Sequence, residues 1–163
     1  MKSFLAYITV IILFVVQTTL GRYIDIYGIA PNLVFVFAVC YSMYNFPVRS
    51  AVLCVVSGLI LDLYNCTNIG LNALMYMYIG LAVSMFFAVL MKKSLFTVAL
   101  GVITVSAVYQ IIWLVFVHVI NHRAPFLYSL VRIVLPSTVY DGIAAMMMYM
   151  WARWLSEEQI RGL

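Results

Sequence analysis

Residues 95–119 read LFTVALGVITVSAVYQIIWLVFVHV and contain no Asp, Glu, Lys or Arg. A helix needs about 20 mostly apolar residues to cross a hydrocarbon layer roughly 30 Å thick. This stretch is therefore long and apolar enough to form one transmembrane helix. Lys92 and Lys93 precede it and Asn121 follows it, so polar residues mark both of its ends.

The whole chain shares this apolar character. Of its 163 residues, 67% are hydrophobic and only 9% are charged, and the mean hydropathy is +1.13. Soluble globular proteins carry about 25% charged residues. The composition therefore excludes most soluble classes and indicates an integral membrane protein without a soluble catalytic or nucleotide-binding domain. We expect residues 1–163 to form a single integral membrane domain.

Uncharged stretches bounded by charges, Gly, Pro or Asn predict an all-α polytopic membrane protein with six transmembrane helices in one bundle. The predicted helices are Ser3–Leu20, Asn32–Asn45, Val48–Tyr64, Leu71–Met91, Leu95–Val119 and Tyr128–Trp154. The connections are short, so we expect neighbouring helices to run antiparallel. The second helix is too short to cross alone, and it must either include part of residues 24–31 or lie where the bilayer thins.

The basic residues indicate the orientation of the chain. Nine Lys and Arg residues stand against five acidic ones, but they are scattered, which is typical of topology signals rather than of a nucleic-acid site. With a cytoplasmic N-terminus, six of them lie inside: Lys2, Arg49, Lys92, Lys93, Arg153 and Arg161. Arg22, Arg123 and Arg132 then lie on or near the outer face. This distribution predicts that both termini are cytoplasmic.

Three ionisable residues of the predicted helices qualify as intramembrane groups: Asp62, Arg132 and Asp141. Such groups are costly in lipid unless paired or hydrated, so each is a candidate functional residue. The antiparallel topology allows an ion pair between Asp62 and Arg132 near the outer leaflet. Asp141 follows Arg132 by nine residues, about 13.5 Å along an ideal helix and on its opposite face.

Small residues line two of the predicted helices. Asp62 shares a helix face with Gly58, Val55 and Ala51, and the next helix carries Gly80, Ser84 and Ala88 at four-residue steps. Small residues let transmembrane helices approach closely. We interpret both stripes as surfaces that pack the bundle itself.

Catalytic and metal sites find little support. An intramembrane aspartyl protease needs two carboxyl groups that bind one water molecule. Asp62 is preceded by Leu-Ile-Leu and so does not form a GxGD motif. Asp62 and Asp141 are also predicted to lie about 10 Å or more apart in depth. His118 and His122 share a helix face, yet no third metal ligand is evident. The sequence predicts no enzyme, no cofactor and no metal site.

Several motifs together resemble the rod shape-determining protein MreD family. They are Pro31-Asn32-Leu33, Gly58-Leu59-Ile60-Leu61-Asp62-Leu63, Gly70-Leu71-Asn72-Ala73-Leu74, and Gly80. The resemblance implies a noncatalytic subunit of the bacterial elongation machinery in the cytoplasmic (inner) membrane. It also implies binding to MreC and assembly with RodA, its class B penicillin-binding transpeptidase and MreB filaments. The implied fold resembles the S components of energy-coupling-factor transporters. Asp141 departs from the family pattern, where an uncharged polar residue is expected.

These observations lead to one main hypothesis and one rival. The main hypothesis is that Asp62, with Gly58 and Gly70, fixes the outer ends of the third and fourth helices and presents a surface to MreC. The rival is that the chain is the substrate-binding S component of a vitamin transporter, which has the same size and architecture.

Overall fold

The computed structural model describes residues 2–24, 32–65, 70–89, 94–121 and 134–160. Within these ranges the chain forms helices and no strand, which confirms the all-α fold class. The described residues form six helices: α1 (Lys2–Ile24), α2 (Leu33–Ser42), α3 (Pro47–Asn65), α4 (Leu71–Val89), α5 (Leu95–Asn121) and α6 (Leu135–Ile160). The predicted bounds of α3, α4 and α5 are accurate to within about two residues.

Within the described ranges, three helical segments are long and apolar enough to cross a membrane: Pro47–Asn65, Leu71–Ala88 and Leu95–Phe116. Phe4–Thr19 of α1 and the whole of α2 are apolar but shorter. Helix α6 extends past the predicted end at Trp154 as far as Ile160. The first part of the sixth predicted helix, residues 128–133, lies outside the described residues.

Helix α2 lies at the centre of the bundle. It has 10 residues, so it is about 15 Å long, whereas α3 has 19 residues and is about 28 Å long. Every residue from Val34 to Ser42 is buried, and α2 packs against all five other described helices. Backbone that ends at membrane depth is tolerated where protein surrounds it. Burial in the bundle therefore accommodates a helix that is too short to span the membrane.

The turn after α2 directs the chain into α3. Met43 and Asn45 are buried in this turn, and the Asn45 side chain donates to the Tyr41 carbonyl at 2.8 Å. Pro47 opens α3, where its missing N–H costs nothing. Because the turn is so short, α2 and α3 run antiparallel, and α2 begins about halfway along the length of α3.

The outer surface of the bundle is apolar. Exposed side chains on α5 include Leu100, Val108 and Ile112, and on α6 they include Met147 and Met150. This pattern is typical of helices that face lipid. Trp151 and Trp154 are both about half exposed near the end of α6 (48% and 49%), where tryptophan favours the membrane–water interface.

Candidate functional site

Asp62 on α3 binds the N-terminal end of α4. Its side chain is 1% exposed. Oδ2 accepts hydrogen bonds from the backbone N–H groups of Gly70 at 2.9 Å and Ala73 at 3.1 Å. Oδ1 accepts from the backbone N–H of Asn72 at 3.2 Å and from its Nδ2 at 2.8 Å. The first N–H groups of a helix have no partner within it and carry partial positive charge, so a carboxylate from the neighbouring helix satisfies them.

Two glycines make this junction possible for different reasons. Gly70 has φ +99°, a conformation that favours glycine, and it precedes α4 directly. A Cβ on Gly58 would lie 2.5 Å from Cα and 2.6 Å from the backbone nitrogen of Ala73. Gly58 is therefore the point where the α3 and α4 backbones touch, one helical turn before Asp62.

The stripe on α4 mostly packs inside the bundle, as the sequence indicated. A Cβ on Gly80 would lie 2.5 Å from Sγ of Cys54, and the buried Ser84 hydroxyl donates to the Asn45 carbonyl at 2.5 Å. Ala88 is exposed instead. Ser84 already reaches the turn before α3, so Ala88, one helical turn further on, lies beyond that neighbour.

Asp141 on α6 binds the N-terminal end of α2. It is 2% exposed, and its Oδ1 accepts from the backbone N–H of Asn32 at 3.1 Å. Its Oδ2 accepts from the Ser106 hydroxyl and from Nε2 of Gln110 at 3.5 Å, both on α5. The Asn32 side chain caps α2 by accepting from the Phe35 N–H at 3.2 Å.

Helix α1 adds a further contact at the same end of α2. Oε1 of Gln17 accepts from the Val34 N–H at 3.2 Å. The N-terminus of the central helix is thus held by polar side chains from α1 and α6, with α5 completing the set of partners around Asp141.

Two tyrosines connect the Asp62 and Asp141 junctions. Nδ2 of Asn32 donates to the Tyr76 hydroxyl, and the Tyr109 hydroxyl donates to Oδ1 of Asn72, each at 2.8 Å. The rings of Tyr76 and Tyr109 meet edge to face with centroids 5.5 Å apart. The Ser137 hydroxyl on α6 donates to Oε1 of Gln110. We call this set of residues the polar layer: Gln17, Asn32, Asp62, Asn72, Tyr76, Ser106, Tyr109, Gln110, Ser137 and Asp141.

Sequence reasoning identified only part of this layer. It singled out Asp62, Asp141 and Asn32, but it gave no role to Gln17, Tyr76, Ser106, Tyr109 or Gln110. A polar side chain inside an apolar stretch is the pattern that could have identified more of this layer, and Gln110 is such a residue. Pro31, His122 and Arg132 lie outside the described residues, so the ion pair between Asp62 and Arg132 stays a prediction.

The arrangement stabilises helix ends. The two carboxylates bind the N-terminal ends of different helices, and in both cases backbone N–H groups are among the donors. In the part of the chain that the structure describes, no three His, Cys, Asp or Glu residues are grouped to hold a metal ion. The side chains of the polar layer come from α1, α3, α4, α5 and α6, and from Asn32 at the start of α2. The polar layer therefore connects the six described helices.

The two aspartates should respond differently to substitution by asparagine. Asp141→Asn keeps one oxygen for the Asn32 N–H, and its amide can donate to the Ser106 hydroxyl. We expect it to lower the free energy of unfolding by less than about 1.5 kcal/mol. Asp62→Asn turns an NH₂ group toward backbone donors, and we expect a loss of at least about 2 kcal/mol. Unfolding of both variants in mixed micelles measures this; equal losses would contradict the described geometry.

Comparison with known proteins gives one family. Residues 1–158 match the profile of the family described as rod shape-determining protein MreD. No curated protein and no solved structure matches the chain. The family is non-enzymatic. The family match, taken together with the apolar helices, identifies the chain as a multi-pass protein of the inner membrane that acts in determining cell shape. The chain belongs to the rod shape-determining protein MreD family.

Proposed function

We propose that this protein is a noncatalytic scaffold subunit of the bacterial cell-elongation complex. In this role it binds MreC and links it to RodA, to the class B penicillin-binding transpeptidase and to MreB. The family match over residues 1–158 supports the setting. The observation that carries the proposal is the Asp62 junction, because it uses a buried charge to hold two membrane helices in a fixed register.

The proposal includes a topology. All six helices belong to a single membrane domain over residues 1–163, with a bundle that resembles an S component and with both termini in the cytoplasm. The distribution of Lys and Arg supports this orientation. The α3–α4 connection and the Asp62 junction then lie toward the periplasm, where the single-span protein MreC has most of its mass.

The surface offered to MreC lies beside the junction. Leu63 is 65% exposed at the end of α3, and Leu74 and Tyr78 are 57% and 66% exposed on the first turns of α4. We call these three residues the hairpin face. They are large, mostly apolar and attached to helices whose ends Asp62 fixes. A rigid apolar surface lets a partner helix pack without the entropic cost of ordering it first.

Copurification tests the hairpin face. Tyr78→Ala removes a large exposed side chain without removing a hydrogen bond to another described residue, so we expect MreC recovery to fall about fivefold or more. Phe96→Ala on α5 is the matched control, because Phe96 is an aromatic residue that is 76% exposed. It should leave recovery unchanged. Equal recovery of MreC by the two variants would remove the hairpin face as the docking surface.

The rival function, an S component that binds a vitamin, predicts a ligand rather than a protein partner. A thermal-shift screen of vitamins on the purified protein separates the two functions. We expect no vitamin to raise the melting temperature, and a saturable shift with one of them would favour the transporter.

A further inference from the structure

Helix α4 belongs to one closely packed pair of helices, and α5 belongs to another. Helix α3 packs closely against α4, and α5 packs closely against α6. Between α4 and α5 lies an open groove of about 550 Å³. The ring of Phe87 on α4 reaches Gly101 on α5 at this groove, where a Cβ on Gly101 would lie 2.7 Å from Cζ of the ring. A side chain that joins α4 to α5 therefore acts between the two pairs.

Tyr109 on α5 makes such a link. Its hydroxyl donates to Oδ1 of Asn72, the second residue of α4, at 2.8 Å. Its ring stacks on the ring of Phe35 on α2, with centroids 4.8 Å apart and an interplanar angle of 25°. Phe35 is 1% exposed. The buried core of the bundle therefore holds the Tyr109 ring, and with it the position of the hydroxyl.

The amide of Asn72 is held at both of its ends. Its Nδ2 donates to Oδ1 of Asp62 at 2.8 Å, and its Oδ1 accepts from the Tyr109 hydroxyl. An ionised carboxylate only accepts hydrogen bonds, so the NH₂ group of Asn72 must face Asp62. Asn72 is 5% exposed, and within the described part of the chain no other group donates to its Oδ1. Loss of the Tyr109 hydroxyl would free one end of a buried amide to turn away from Asp62.

We propose that Tyr109 is a positioning residue for the contact with MreC: its hydroxyl fixes the Asn72 amide against Asp62 and so couples α5 to the hairpin face. This inference rests on the proposed function, because the hairpin face is the proposed docking surface. Leu74 and Tyr78 of that face follow Asn72 by two and six residues on the same helix. The affinity for MreC then depends on the position of α5, a helix that supplies no residue of the hairpin face.

Hydrogen exchange tests the link without MreC. Tyr109→Phe keeps the ring that stacks on Phe35 and removes the hydroxyl alone. Because the start of α4 loses one of its restraints, we expect the backbone N–H groups of residues 72 and 73 to exchange about fivefold faster in this variant.

Tyr76→Phe is the matched control for the exchange measurement. It also removes a tyrosine hydroxyl that lies 2.8 Å from an asparagine amide, but that amide belongs to Asn32. Exchange at residues 72 and 73 should stay at the wild-type rate. Wild-type exchange in Tyr109→Phe, or equal acceleration in the two variants, would overturn the proposal.

Binding of MreC in nanodiscs tests the consequence. We expect Tyr109→Phe to bind MreC about threefold more weakly, and Tyr76→Phe to bind it as wild type does. In an Asn72→Ala background the amide is gone, so Tyr109→Phe should cause no further loss. A further threefold loss in that background would reject the positioning role, because the hydroxyl would then act without Asn72.

Asp62→Ala separates this inference from the proposed function. If Asp62→Ala weakens MreC binding and Tyr109→Phe does not, the positioning role fails and the docking surface stands. If neither variant weakens binding, the docking surface fails, and the role of Tyr109 toward MreC fails with it.

Discussion

Asp62→Ala should lower the free energy of unfolding by about 3 kcal/mol. The carboxylate accepts four hydrogen bonds from Gly70, Asn72 and Ala73, and the site is 1% exposed. Alanine would remove the acceptor of these donors at the start of α4, and lipid offers no replacement for it. Unfolding of the reconstituted protein in mixed micelles of increasing SDS fraction measures the loss.

Ser57→Ala is the control for this prediction. Ser57 is also buried on α3, but its hydroxyl donates at 2.8 Å to the Leu53 carbonyl of its own helix. Removing a hydroxyl that returns to its own backbone should cost less than about 1 kcal/mol. If the two variants unfold at the same SDS fraction, Asp62 does not fix the α3–α4 junction.

Gly58→Ala should lower the free energy of unfolding by a similar amount, about 3 kcal/mol. A Cβ at this position would lie 2.5 Å from Cα of Ala73, and helix backbone cannot rotate away as a side chain can. Helix α4 would have to move outward, and this movement would lengthen the hydrogen bonds to Asp62. Hydrogen exchange at residues 70–73, measured together with the unfolding free energy, should become faster in this variant.

Gly70→Ala tests the effect of backbone conformation separately from the effect of steric contact. No atom of the other residues that the structure describes lies within 4 Å of a Cβ built on Gly70, so among these residues only the φ of +99° resists a side chain. The expected cost is about 1–2 kcal/mol, and Gly70→Asn should recover part of it because asparagine tolerates positive φ. A larger loss for Gly70→Ala than for Gly58→Ala would contradict the close helix crossing.

The sequence predicted the helices better than it predicted their contacts. Long, mostly apolar runs ended by Lys, Asn, Gly or Pro mark α3, α4 and α5 directly, because charged groups are costly within a span. No such pattern in the sequence indicates that α2 lies at the centre of the bundle. Its run is apolar whether protein or lipid surrounds it, so the sequence could indicate only that it was short.

The contacts within the polar layer were likewise harder to predict from the sequence than the helices. The spacing of Gly58 and Asp62 on one helix face is local, so the sequence could pair them and propose a role at the end of α3. Asp141 bonds Asn32, which lies more than a hundred residues away along the chain, and no local pattern encodes such a contact. Placing Asp141 from Arg132 along an ideal helix could not indicate the partners of Asp141.

Affinity for MreC is the most direct test of the account, since its central claim is that Asp62 fixes the helix hairpin that MreC recognises. The measurement compares wild-type protein, Asp62→Ala and Ser57→Ala in nanodiscs, using material whose helical content by circular dichroism equals that of wild type. The account predicts binding about tenfold weaker for Asp62→Ala alone. Equal affinity of all three proteins for MreC would contradict it.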